Sequence, residues 1–250
     1  MKEKNWRYIV VYILYVWCAV MPLLAIFLDL FLTVILGDAA TELTLNFDVS
    51  LINQMIYLSV WVTLATSIFG ISNWINLHNK KMPNWITGKN AHTLILVANI
   101  YVFALYNVTM WTSNGEGIVG FNNWYKILKS IVEHSITPVA VLAIYALIRK
   151  QSVSVGQYSS KYCWYNLILP ALYLIFIFFR AFLLVRYKNM NPEAEIFMPF
   201  PYAQLDPGKV GFGFVLFSVF ASCAFFVAVP IGVHTLKELK IDFKKQKAIK

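Results

Sequence analysis

Hydrophobic residues along this chain gather into long runs separated by short polar stretches. Six runs reach the ~20 apolar residues that a helix needs to cross a bilayer. They lie near 8–36, 51–77, 92–112, 125–148, 162–186 and 210–235. The predicted fold is therefore all-α: a polytopic integral membrane protein, a bundle of six transmembrane helices in a single domain spanning 1–250. The connections are short, and 236–250 reads as a basic tail. The first run is too long for the apolar core of a cleaved signal peptide, so it reads as a retained membrane helix. Pro22 and Pro138 occupy similar places in the first and fourth runs, but one such pair does not establish a repeat.

The longest connection, from Tyr187 to Lys209, contains Pro192, Pro199, Pro201, Pro207 and Gly208 and reads as an irregular surface loop. Its Phe197, Met198, Phe200 and Tyr202 would either lie in the head-group layer or fold over the bundle as a lid. Basic residues set the orientation. Lys2, Lys4 and Arg7 precede the first helix. Lys80, Lys81 and Lys89 lie in the second connection, and Arg149, Lys150 and Lys161 in the fourth. The tail adds Lys237, Lys240, Lys244, Lys245, Lys247 and Lys250. The other side has Lys126, Lys129, Arg186, Lys188 and Lys209. Both termini are expected in the cytoplasm, which an even number of spans also requires.

Composition agrees. Hydrophobic residues make up 59% of the chain and charged residues 13%, about half the usual charged share of a soluble domain. The formal charge of +9 fits orientation and anionic lipid head groups rather than nucleic acid. Lys outnumbers Arg 17 to 4, which hints at an AT-rich bacterial genome and a cell-membrane location. Cys18, Cys163 and Cys223 fit no metal spacing and no disulfide framework, and read as small apolar fillers.

Ionisable side chains within membrane spans are costly and point to function. Asp29, Glu133, His134 and Arg180 all fall toward the outer half. Snorkelling to the interface is the competing reading for Asp29 and Arg180, and a near-surface position for Glu133. His134 sits four residues before Pro138, whose ring removes a hydrogen bond from the His134 carbonyl. A lone histidine in a helix is also a common packing residue. His78, His92 and His234 lie at predicted helix ends and receive no role. The second span carries Ser59, Thr63, Thr66, Gly70 and Asn73 on one helix face, with Ser67 one turn beyond Thr63. Such a stripe serves helix packing; alternatively Thr63 is a nucleophile activated by His134. With the spans as drawn, Thr63 lies ~18 Å and His134 ~10 Å from the same membrane face.

Four short motifs occur in order. They are Trp61-Val62-Thr63-Leu64-Ala65-Thr66-Ser67, His134-Ser135-Ile136-Thr137-Pro138, Pro170-Ala171-Leu172-Tyr173 with Arg180 beyond it, and Phe200-Pro201-Tyr202 followed by Asp206 and Gly208. With these the chain resembles the androgen-induced membrane hydrolase family, in a distant bacterial branch, over about residues 55 to 225. Val62 separates the aromatic residue from Thr63, and Ser67 stands where that family has Asn. The resemblance implies a membrane-embedded hydrolase of fatty-acid esters, with Thr63 as nucleophile and His134 as general base. Asp29, Glu133, Arg180, Ser67 and Asp206 would be supporting residues. Membrane lipids would be the partners and substrate source, with no metal, organic cofactor or nucleic acid. A non-catalytic membrane scaffold and a small-solute transporter are the alternatives.

Overall fold

The structure is a computed structural model, and it describes residues 2–36, 46–112, 123–148, 153–187 and 199–248. Arg149, Lys150, Lys188, Pro192, Phe197, Met198 and Lys250, used above, lie outside the described residues. In chain order the elements are α1 (Lys2–Leu36), α2 (Phe47–Met55), α3 (Leu58–Asn79), a single turn α4 (Asn84–Thr87) and α5 (Lys89–Thr112). Next come α6 (Trp124–Ile131), a π turn (Val132–Ile136) and α7 (Thr137–Leu147), which together make one span. The next span begins with α8 (Val155–Gln157), passes through a π turn and a 3-10 turn, and ends with α9 (Ile168–Tyr187). A 3-10 turn at Ala203–Leu205 and the one-turn α10 (Pro207–Val210) lead into α11 (Phe212–Ala248). Six helical stretches are long and apolar enough to cross a membrane, and no strand occurs among the described residues. The fold is an all-α polytopic membrane bundle.

One predicted span differs from the structure. The run near 51–77 is two helices: α2 ends at Met55 and α3 starts at Leu58. Neither Pro nor Gly causes the break. Side chains from elsewhere stabilise it by capturing the backbone groups it frees. The Trp61 indole donates to the Met55 carbonyl at 2.8 Å, and the Tyr173 hydroxyl to the Ile56 carbonyl at 2.8 Å. The Leu58 amide donates to the Tyr202 hydroxyl at 3.2 Å. Each such group, left unbonded in lipid, would cost several kcal/mol. At the other end of the chain, α11 runs on through the predicted tail to Ala248.

Two apolar clusters hold the bundle. Toward the chain termini, Tyr15, Cys18, Phe69, Leu96, Val141 and Ile144 join α1, α3, α5 and α7. Toward the opposite end, Ile56, Val62, Val97, Tyr173, Leu205 and Phe226 join α3, α5, α9 and α11. Gly70 lets α3 touch α1: an added Cβ would stand 2.5 Å from the Ala19 amide nitrogen. This is the close backbone approach that small residues provide in membrane bundles. The outermost spans bury little, 22% of the Val155–Arg186 window and 17% of the Phe212–Leu236 window. Their Ile175, Phe179, Phe217 and Phe220 are exposed, an apolar surface suited to lipid acyl chains.

Candidate active site

The site lies at the end of the bundle opposite the two termini, where α1, α3, α6 and the π turn meet. Pro138 explains the turn. It supplies no N–H for the carbonyl one helical turn back, and the helix widens just before it, with the Thr137 amide reaching the Val132 carbonyl. The wider turn carries Glu133 and His134 side by side.

Asp29 is buried on α1 and is bound on both oxygens. Lys129 Nζ lies 2.8 Å from Oδ2, and the Thr33 hydroxyl donates to Oδ1 at 3.1 Å. Lys129, one helical turn before Glu133, has a side chain only 12% exposed. Glu133 is 3% exposed and faces Lys129, Asp29 and Ser59. Its Oε1 has no hydrogen-bond partner among the described residues.

His134 stacks on Tyr106 of α5, with ring centroids 4.0 Å apart and planes 10° from parallel. Ser130 lies beside the Tyr106 hydroxyl. The His134 Nδ1 has no partner among the described residues. Thr63 is 3% exposed, and its carbonyl accepts from the Ser67 hydroxyl at 3.1 Å. No hydrogen bond joins Thr63 to His134 in this structure. Ser59 marks the level of Glu133, Thr63 is one turn deeper at ~6 Å, and His134 is one residue deeper at ~1.5 Å. With Ser59 and Glu133 level, the separation along the axis is ~4–5 Å.

The α3 stripe has two roles. Ser59 faces Glu133. Further along, Thr66 receives a 2.9 Å hydrogen bond from Asn99 of α5, Gly70 packs on α1, and the Asn73 amide returns to the Phe69 carbonyl at 2.9 Å. That half is helix packing.

Arg180 Nη1 donates to the Pro199 carbonyl at 3.2 Å and tethers the start of the Pro199–Leu205 segment. Phe200 packs edge-on against Phe178, and Tyr202 edge-on against Tyr57 at 6.3 Å. Leu205 is buried in the apolar cluster below. This part of the long loop folds over the bundle and brings Tyr202 near Glu133. Burial raises the hydroxyls of both Tyr57 and Tyr202 above the ordinary tyrosine range. Asp206 stands apart from the cluster. It caps α10, its Oδ1 accepting from the Gly208 amide at 2.9 Å.

Sequence reasoning missed Lys129, Ser59, Tyr57, Tyr106 and Tyr202 as members of the site. In the sequence Lys129 reads as one of the outer topology charges. Its spacing of one turn from Glu133 was the available signal. The histidines near the other end are packing residues: His92 lies between the Tyr15 hydroxyl (2.7 Å) and the Gly88 carbonyl (2.8 Å), and His234 bonds the Val153 carbonyl at 2.6 Å. Among the described residues, no group of three or more His, Cys, Asp or Glu is placed to hold a metal ion.

Fold and site together define a polytopic helical membrane protein with a buried ionisable cluster near one end of the bundle. No protein-family model, no curated protein and no solved structure matches the chain.

Proposed function

We propose that this chain is a membrane-embedded hydrolase of lipid esters, related to the androgen-induced membrane hydrolases, in the cell membrane of a bacterium with both termini in the cytoplasm. The observation that carries the reading is His134. Its ring is stacked on Tyr106, its Nδ1 has no hydrogen-bond partner among the described residues, and its turn packs against α3, the helix that carries Thr63. A hydroxyl nucleophile and an unengaged imidazole are the two parts that acyl transfer requires.

The chemistry runs in two halves. His134 accepts the Thr63 hydroxyl proton as the oxygen attacks the ester carbonyl, which requires the two side chains to close into hydrogen-bonding distance. The alcohol leaves with the proton from His134, and the acyl group stays on Thr63. Water then gives a proton to His134 and attacks the acyl-threonine. The fatty acid leaves, and Thr63 recovers its proton. A substrate entering sideways from the bilayer fits a site roofed by Tyr202 and the Pro199–Leu205 segment.

The test is hydrolysis of fatty-acid esters by protein purified in mild detergent, beside Thr63→Ala and His134→Ala forms with intact folding. Loss of turnover in both supports the reading. No turnover on any ester, with no labelling of Thr63 by an activated phosphonate, leaves the pair as helix packing and the chain as a non-catalytic scaffold. The buried Asp29–Lys129 pair favours a second reading, a small-solute transporter, because intramembrane charges line transport paths. Solute uptake into proteoliposomes would select it.

A further inference from the structure

The ionisable groups of the cluster do not balance. Asp29 and Lys129 form a contact ion pair, and the second Asp29 oxygen is held by Thr33. That pair is internally neutral. Glu133 remains, 3% exposed, with Oε1 lacking any partner among the described residues. The titratable and polar groups around it are Asp29 from α1, Ser59 from α3, Lys129 from the preceding turn and Tyr202 from the overlying loop. His134, its chain neighbour, is stacked on Tyr106 of α5. One ammonium is thus shared by two carboxylates, at a depth where a net charge is expensive.

We propose that Asp29, Lys129 and Glu133 form a site that binds one proton, held on Glu133 beside a permanent Asp29–Lys129 ion pair. The bound proton makes the cluster electrically neutral and turns the orphaned Oε1 into a group that can donate. None of this depends on ester hydrolysis. A protein with no esterase activity would carry the same site.

Infrared spectroscopy of the protein in lipid nanodiscs tests the proposal. The wild type should show the carbonyl stretch of a protonated carboxylic acid at neutral pH. Glu133→Gln, an isostere of the neutral acid, should remove that band and leave the melting temperature unchanged. Asp29→Asn should also remove it, because Lys129 then has Glu133 as its nearest anion and Glu133 ionises to pair with it. If Glu133→Gln does not fold, Glu133→Asp should shift the band instead of abolishing it. A wild-type spectrum with no band sensitive to position 133 overturns the proposal. So does a band that disappears when sodium replaces choline at constant ionic strength, since a metal cation would then occupy the site.

Discussion

The imidazole of His134 lies flat on the ring of Tyr106, 4.0 Å between centroids and 10° from parallel. The stack sets the ring plane and fixes where Nδ1 points. Tyr106→Leu should lower stability by about 0.5–1.5 kcal/mol, the usual worth of an aromatic pair. If the proposed hydrolase reading holds, it should lower ester turnover far more, by on the order of a hundredfold, because a misplaced base is costly. Tyr106→Phe keeps the ring and should stay close to wild type. Equal losses in the Leu and Phe forms would show that the hydroxyl, not the stack, matters.

The Asp29–Lys129 pair predicts an asymmetry between its two members. Lys129→Met strands the Asp29 carboxylate in the bundle and should cost about 3–5 kcal/mol. Asp29→Asn should cost less, because Glu133 stands beside Lys129 as a substitute anion. The double change removes both charges and should recover most of the lost stability. Thermal melting of the three variants in one detergent checks the order. A double variant no better than Lys129→Met would exclude a simple charge pair.

Gly70 predicts a purely steric effect. An added Cβ would stand 2.5 Å from the Ala19 nitrogen and 2.7 Å from the Cys18 carbonyl carbon, both backbone atoms that cannot rotate away. Gly70→Ala should force α1 and α3 apart at about 1–3 kcal/mol. Ala19→Gly should fail to rescue it, since the clash involves main chain rather than the Ala19 methyl. Rescue would mean that the helices pack differently there.

The sequence exposes the helices of this protein better than it exposes the site. Lipid as solvent forces long apolar runs, so α1, α5 and the α6–α7 span stand out directly. The break between α2 and α3 does not. Its backbone groups are satisfied by Trp61, Tyr173 and Tyr202, two of which are more than a hundred residues away. Glu133 and His134 stood out because charge and imidazole are rare in membrane helices. Lys129 did not, because a lysine near a helix end is indistinguishable from a topology signal until Asp29 is seen 2.8 Å from it. Asp206 shows the reverse: an acidic residue within a motif whose carboxylate is used to cap a single turn.

Tyr202 gives a prediction that involves pH. Its hydroxyl accepts the Leu58 amide at the start of α3 and packs beside Tyr57, so Tyr202→Phe leaves that amide without its acceptor. The loss should be about 1–3 kcal/mol. Burial raises the Tyr202 hydroxyl above its ordinary value, and that fixes the sign of the dependence. The unfolded chain releases this proton near pH ~10, while the folded protein still holds it. The stabilising contribution is therefore complete below that pH and is lost as pH rises through the higher folded value. The melting-temperature gap between wild type and Tyr202→Phe should stay constant up to about pH 10 and shrink beyond it. A gap that instead widens as pH rises toward ~10 would mean that the folded phenol titrates below its ordinary range, as an exposed group beside Lys129 would, and that the loop does not roof the cluster.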